Sequence, residues 1–487
     1  MNHNKKLLLF FLGTILCHNV LAQNNSENKR PNILLIIVDD LGWADLGCFG
    51  ADLHETPNID AFAATGQKFT NAYAAASICS PTRASLLSGK SPARLNMTIW
   101  REAAINSQFN KKLIPPDVSS NLPLDEVTIA EALKAEGYVT AHLGKWHVGD
   151  GEHFPETQGF DINVGATVWG SPPTFFYPYR GEIYNSLRFV PDLERDKNGT
   201  YNLDREGEYL GDRLTDEAIS IMERFKNESF FINLAYYTVH TPIEAKADIV
   251  KYYEKKLRSG MSHQNAIFAA MVHSLDENIG RLMKKLEELD LADNTAVVFT
   301  SDNGGFINEW EGKSVTSNFP LRSGKGALYE GGIRVPTIIR LPGITTPNTI
   351  SDYPITTQDF YPTLLEMVNL EGDPGQVAAF DGISLVPVLK DPQADLKQRE
   401  LYWHYPHYYQ TTTPVSAIRQ GDWKLLEFLE DNHVELYNLK EDIGETINLE
   451  KTNPKKTKEL LQLLTDWREN VNAPLPRPNP EYPKNKK

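Results

Sequence analysis

The chain has 487 residues, with 49 Lys plus Arg against 64 Asp plus Glu, a formal net charge of −15. That length buries a large core and suits one big domain with an appendage, or two to three domains. An ordinary composition, 41% hydrophobic and 23% charged, excludes a disulfide-stapled miniprotein, a collagen-like chain and a wholly disordered one. The acidic balance argues against a nucleic-acid partner, because it repels phosphate backbones.

The chain opens with Lys5 and Lys6, an apolar run over 7–16, and Val20-Leu21-Ala22 at the cleavage positions. This pattern predicts a secretory signal peptide over residues 1–22, so the protein is expected to be exported, periplasmic or secreted. The run is short for a bilayer span. Cys17 matches a lipoprotein cleavage site poorly, and no later segment reads as a membrane span. Cleavage after Ala22 would leave 465 residues at −17, since the segment carries two lysines and no acid. Cys48 and Cys79 then remain. They are enough for one disulfide but too few for a cysteine-built metal site.

Asn32-Ile33-Leu34-Leu35-Ile36-Ile37-Val38 is a nearly continuous apolar run, as expected of a strand covered on both faces. Tyr138-Val139-Thr140-Ala141-His142-Leu143, Phe230-Phe231-Ile232-Asn233-Leu234-Ala235, Ala296-Val297-Val298-Phe299-Thr300 and residues 335–341 read the same way. Between them, Thr128 with Glu131 predicts a capped helix ending near Gly137. Ile267, Met271, Leu275, Ile279, Leu282, Leu286 and Leu289 form one amphipathic stripe. Strand alternating with helix predicts an α/β fold with a mostly parallel sheet. Beyond residue 390 the pattern shifts to short strands at 401–405, 415–419, 423–428 and 434–438, then a helix over 454–468. The expected organisation is a catalytic domain over 23–390 and a C-terminal α+β subdomain over 391–487, whose tail, 474–487, is extended.

The functional signal lies in the residues directly after each strand. Val38 is followed by Asp39-Asp40, Leu143 by Gly144-Lys145-Trp146-His147, Ala235 by a stretch reaching His240-Thr241-Pro242, and Ser301 by Asp302-Asn303-Gly304. In open α/β sheets, ligands bind outside the carboxyl ends of the strands. Asp39, Asp40, Asp302 and Asn303 offer an oxygen set suited to a hard dication, above all calcium. Asp-Asp and Asp-Asn-Gly are also ordinary cap and turn sequences. In Cys79-Ser80-Pro81-Thr82-Arg83, Ser80 suits a helix N-cap and Pro81 its first position. Cys79 would then sit at a positive helix end, which predicts a lowered thiol pKa and an attraction for anions.

Cys79, Pro81 and Arg83, as Cys-x-Pro-x-Arg, resemble the signature of the formylglycine-dependent sulfatases. The resemblance extends over nearly the whole mature chain. It includes the Asp39-Asp40, Gly144–His147, His240-Thr241-Pro242 and Ser301–Gly304 segments, Gly324-Lys325-Gly326, Glu330-Gly331-Gly332-Ile333-Arg334 and Gly421-Asp422-Trp423-Lys424-Leu425. It implies an alkaline-phosphatase-like fold. It also implies that Cys79 is converted to formylglycine, by a formylglycine-generating or anaerobic sulfatase-maturing enzyme, and that its hydrate attacks sulfur. Asp39, Asp40, Asp302 and Asn303, with residue 79, resemble calcium ligands. Arg83 and Lys145 resemble stabilisers of the formylglycine oxygens, and Lys325 a sulfate-binding cation. His240 resembles the acid that protonates the leaving alcohol, and His147 the base that releases sulfate.

Among members of that family, the chain is most like exported bacterial polysaccharide sulfatases, so a sulfated saccharide is the expected substrate. Two aromatic groups suit sugar faces or core packing equally: Trp169, Phe175, Phe176, Tyr177 and Tyr179, and Tyr402, Trp403, His404, Tyr405, His407 and Tyr408. A net-acidic molecule needs a local cationic nest to bind an anion, which predicts salt-sensitive recognition of further sulfates on a polymer. The alternatives are a phosphonate or phosphodiester hydrolase of the same superfamily and a non-catalytic glycan-binding relative.

Overall fold

The computed structural model describes residues 30–106, 110–179, 207–394, 396 and 398–483. The expected signal peptide, Arg180 and the last four residues of the tail lie outside these.

The central sheet is built from eight strands: β1 (Asn32–Val38), β2 (Gln67–Phe69), β3 (Val139–Gly144), β4 (Ile162–Val164), β5 (Phe230–Ala235), β6 (Thr295–Ser301), β7 (Thr337–Arg340) and β8 (Thr349–Ser351). Their order across the sheet is β8-β2-β7-β6-β1-β5-β3-β4. The pairings β1·β5, β1·β6, β3·β5, β3·β4 and β2·β8 are parallel, and β7 runs antiparallel to both its neighbours. This is the mostly parallel sheet expected from the sequence.

Strand alternation explains why β1 reads as a nearly unbroken apolar run. Leu34, Ile36 and Val38 point into one core layer, and Ile33, Leu35 and Ile37 into the other. Helices α1 (Pro57–Thr65), α2 (Cys79–Ser88), α3 (Ile129–Ala135), α4 (Leu210–Arg224), α5 (Ala266–Glu288) and α6 (Phe360–Met367) cover the two faces. The first layer takes Ile59 of α1, Leu214 of α4 and Phe268 and Leu275 of α5. The second takes Leu86 and Leu87 of α2, Leu133 of α3 and Leu364 of α6. Thr128 and Glu131 form the capping box expected for α3.

A second sheet comes after it in the chain: β9 (Glu400–Tyr405), β10 (Val415–Gln420), β11 (Trp423–Phe428) and β12 (His433–Asn438), antiparallel in chain order, with helix α7 (Pro454–Asn470). One face packs Ile418, Leu425 and Leu436 against Leu460 and Leu464 of α7. The other face packs Trp403, Tyr405, Ala417 and Leu426 against Tyr73, Ile78 and Ile333 of the larger sheet's surroundings. No helix among the described residues is long and apolar enough to cross a membrane.

The two sheets are also joined by buried charge. Lys424 Nζ lies 2.8 Å from Glu330 Oε1 and 2.9 Å from Glu445 Oε1, and Arg334 Nε lies 2.7 Å from Glu330 Oε2. Burial of Glu445, despite the adjacent Lys424, pushes its carboxyl up to about 7. Truncating a buried pair strands its partners and costs about 3–5 kcal/mol. Lys424→Met is therefore expected to lower the thermal midpoint by several degrees. An unchanged midpoint in a melt followed by circular dichroism would contradict the coupling.

Candidate active site

Register brings the carboxyl ends of four strands together. Val38 of β1 is level with Ser301 of β6, Ile37 with Ala235 of β5, and Ala235 with Gly144 of β3. The residues that leave these strands, Asp39, Asp302 and Lys145, start as neighbours. Asp40, at φ 63°, and His147, at φ 59°, occupy the left-handed region that a side chain adopts only at a cost. Here the turn aims each side chain. Gly304 shows the same crowding, since a Cβ there would stand 1.9 Å from the Gly331 carbonyl oxygen.

Three ion pairs line the cleft. Lys145 Nζ lies 2.7 Å from Asp39 Oδ2, Lys325 Nζ lies 2.7 Å from Asp40 Oδ1, and Arg83 NH2 lies 2.8 Å from Asp302 Oδ2. Arg83 NH1 also donates to the Lys145 carbonyl at 2.8 Å. All six residues are buried. The Cys79 thiol faces Asp39 Oδ1 at 3.7 Å. Asn303 Nδ2 donates to Asp40 Oδ1 at 2.8 Å, while its Oδ1 is buried without a hydrogen-bond partner. One ligand atom from each of Asp39, Asp40, Cys79 and His240 falls within 4.8 Å of the others.

Crowding and burial set the charge states. Burial pushes Asp39 up to about 8 against the pull of Lys145, and the neighbouring Asp302 and Asp40 add to the rise. Asp40 is equally buried, but Lys325 and then His240 outweigh that and hold it well below the usual carboxylate range. Asp302 is likewise lowered, with Arg83 and Lys145 overcoming its burial.

The two histidines differ. The Nδ1–H of His240 donates to the Thr241 carbonyl at 2.8 Å, and its Nε2 lies 3.6 Å from Asp40 Oδ2. His147 Nε2 donates to Glu102 Oε2 at 2.7 Å, and its Nδ1 is buried without a hydrogen-bond partner. Burial lowers His240 to about 3 and His147 to about 4, Glu102 opposing the latter. Glu102 also accepts from the Gly170 N–H at 3.1 Å. Sequence reasoning does not single out Glu102. It sits on a four-residue helix, Arg101–Ala104, and no spacing links it to His147.

Two local expectations are corrected. The helix starts at Cys79 with Ile78 as N-cap, so Ser80 is not the cap. Instead the Ser80 hydroxyl accepts from the Arg101 N–H at 3.3 Å. The Cys79 thiol is raised to about 12, not lowered, because burial outweighs Lys145 and Lys325 while Asp302 and Asp39 push the same way as burial. Cys48 and Cys79 are both free, so they form no disulfide. The aromatic groups mostly pack into cores. Phe175, Tyr179, Trp403 and Tyr405 are buried, and Tyr402 stacks on Trp467 at 4.8 Å between ring centroids.

Known proteins resemble the chain in both sequence and fold. A sulfatase family model matches residues 31–370, and a model for the C-terminal region of N-sulphoglucosamine sulphohydrolase matches residues 323–471. A sulfatase of Formosa agariphila is 34% identical over 92% of this chain and 90% of its own length. Human N-acetylgalactosamine-6-sulfatase is 32% identical over 81% of this chain and 74% of its own. Among solved structures, Ps i-CgsB in complex with k-i-k-neocarrahexaose is similar at a TM-score of 0.74 and 28% identity. That likeness covers 93% of this chain and 95% of the other. The family match over most of the chain, the two sheets and the buried charged cluster at the strand ends agree: the chain belongs to the sulfatase family of sulfuric ester hydrolases.

Proposed function

We propose that the protein is an exported carbohydrate sulfatase that acts through a formylglycine at position 79 and a calcium ion. The observation that carries this reading is the Cys79 side chain lying among Asp39, Asp40 and His240, with Lys145, Lys325 and Arg83 paired to the three buried carboxylates around it. Export rests on the sequence of residues 1–22. The saccharide class rests on the similarity to N-acetylgalactosamine-6-sulfatase and to a structure in complex with k-i-k-neocarrahexaose.

The donor set fits calcium. Asp39, Asp40 and Asp302 supply carboxylates, and the unpartnered Asn303 Oδ1 supplies an amide oxygen, the hard ligands such an ion takes. A second observation agrees: three carboxylates buried together drive one of them, Asp39, toward the protonated state, and a dication removes that need. A calcium ion held there would supply Lewis-acid stabilisation of charge during transfer. A hydrated formylglycine at position 79 would supply two hydroxyls on one carbon, one as nucleophile and one whose deprotonation would release sulfate, which a thiol cannot do.

The chain's own residues do the rest. The three carboxylates and the cations Lys145, Lys325 and Arg83 balance one another, so a bound dication leaves the cleft positive toward a sulfate ester. Lys145 and Arg83 steady oxygens at position 79. Lys325, held on Asp40, is the cation for the sulfate group. His240 presents Nε2, fixed by its Nδ1–H bond to Thr241. Burial and the Lys325 charge hold it neutral, and the negative charge of a bound sulfate ester raises its pKa so that Nε2 takes up a proton and passes it to the leaving alcohol. His147 has its Nε2–H committed to Glu102, and its free Nδ1 lone pair accepts the proton whose loss expels sulfate.

Peptide mass spectrometry of protein from the native host is expected to find residue 79 as formylglycine, and an intact cysteine there would sink the mechanism. Turnover of an aryl sulfate well above the matching aryl phosphonate or phosphate, with cleavage of sulfated oligosaccharides, is the expected specificity. Preference for the phosphonate would overturn it. Lys325→Ala is expected to lower kcat by about 10²–10³-fold, the cost of losing one preorganised charge donor. His147→Ala is expected to cost about 10²–10⁴-fold in kcat. Glu102→Gln is expected to cost less. Because the Glu102 carboxylate raises the His147 pKa, its loss should move the acid limb of the kcat profile, which contains the sulfate-expelling step, to lower pH. An acid limb that stays in place would remove His147 as the base.

A further inference from the structure

A second cluster of ligating side chains lies outside the catalytic cleft. Asp45, His54 and His263 each offer one ligand atom, and the three atoms lie within 4.8 Å of one another. All three residues are buried. Asp45 Oδ1 stands 3.3 Å from His263 Nε2 and 3.7 Å from His54 Nδ1. Two ligands bound at zinc distances of about 2.0–2.2 Å, at a tetrahedral angle, are about 3.3–3.6 Å apart. The cluster is therefore already close to the spacing of a single ion's ligands.

His263 and Asp45 are each held by a second contact. Asp52 Oδ1 lies 2.7 Å from His263 Nδ1, so the ring donates its proton on that side and turns Nε2 inward. Histidine ligands of metals characteristically donate their other N–H to a carboxylate or carbonyl. His263 Nε2 is buried and makes no hydrogen bond, although Asp45 Oδ1 is 3.3 Å away. The Asp45 carboxylate is fixed by the Gly42 N–H at 2.7 Å and the Thr316 hydroxyl at 2.6 Å, which leaves each oxygen a further lone pair. The His54 Nδ1–H donates to the Asp45 carbonyl at 2.9 Å; an ion bound at Nδ1 takes the place of that proton, which moves to Nε2, and has the carbonyl oxygen beside it. The two imidazoles face one another with centroids 4.3 Å apart.

We propose that Asp45, His54 and His263 bind a second dication of the zinc class. Two imidazole nitrogens and one carboxylate oxygen favour zinc over calcium, so this ion is chemically distinct from the one at Asp39 and Asp302. Its role is structural. It ties the segment over 45–54, which comes shortly after the Asp39-Asp40 pair, to the segment that leads into α5.

The first cluster contains Cys79, His240 and two aspartates, which also bind zinc, so the test disables it by replacing Asp39 and Cys79 and by keeping excess calcium present. Full-length Asp39→Asn/Cys79→Ala protein is stripped with chelator, returned to excess calcium, given zinc and desalted. The expected result is one retained zinc per chain by elemental analysis, with a raised thermal midpoint. Cobalt in place of zinc should give the visible bands of a four- or five-coordinate nitrogen–oxygen site. His54→Gln and His263→Gln, each added to that background and verified as folded by circular dichroism, should retain no zinc. Should either fail to fold, the cobalt spectrum of the parent decides alone. No stoichiometric zinc in the parent, or no cobalt bands, would show that the cluster holds only a proton between Asp45, His263 and Asp52, and would overturn the proposal. Equal zinc in the histidine variants would overturn it too.

Discussion

Everything in the cleft derives from putting three carboxylates where water cannot reach them. Asp39, Asp40 and Asp302 are essentially inaccessible, and the self-energy of such charges in a protein interior is several kcal/mol each. The fold answers with one cation per carboxylate, Lys145, Lys325 and Arg83. The answer is incomplete: Asp39 is still driven upward by burial and by its acidic neighbours, while the Asn303 amide oxygen stays unsatisfied. Such a site is balanced in charge yet leaves one amide oxygen and one carboxylate without a full set of partners, which is what the proposed dication would supply. The electrostatic work is done during folding, so little reorganisation remains for the reaction.

The cost of that arrangement is met by the central sheet. Parallel neighbours in register deliver residues 39, 145 and 302 to one edge, and each arrives on a short turn with little freedom. Left-handed backbone at Asp40 and His147 is the local strain accepted for aiming two side chains inward. Two apolar layers, one on each face of β1, make the strand ends rigid enough to sustain it. The same rigidity explains why α2 is buried along its whole length. A helix with no solvent face cannot drift, so Cys79 and Arg83 hold their places relative to Asp39 and Asp302.

The parts of this design legible in the sequence are those written in local pattern. β1 and β5 match their apolar runs residue for residue, because a strand covered on both faces is apolar at nearly every position, with a single Asn in each. The capping box at Thr128 is equally readable, since both halves lie within four residues. The polar residues after each strand mark the site because parallel topology collects strand ends at one edge. The sequence misleads where tertiary contact overrides local chemistry. Cys79 at a helix start implies a lowered thiol pKa, but burial and two carboxylates reverse the sign. Ser80 has the side chain of a cap, but a backbone N–H 21 residues away claims it. Glu102 and the pairing of His54 with His263 are invisible because their partners are distant in sequence and carry no shared period.

The smaller sheet takes part in the site rather than merely trailing it. Lys325 lies on a loop of the larger domain, yet its carbonyl accepts from the Thr411 hydroxyl at 2.7 Å. The next residue, Gly326, has left-handed backbone at φ 91°, and a Cβ there would fall 2.0 Å from the Tyr409 ring. Glycine is needed at that position for both reasons, and the close contact seats the 409–411 loop directly on the cation's own segment. Tyr409 in turn meets Trp100 edge-on, with centroids 5.5 Å apart, and Trp100 precedes the short helix that carries Glu102. A continuous set of contacts thus runs from the second sheet through Lys325 on one side and toward Glu102 and His147 on the other. The Glu330–Lys424–Glu445 cluster fixes that sheet from behind. The position of Lys325 therefore depends on both sheets being docked.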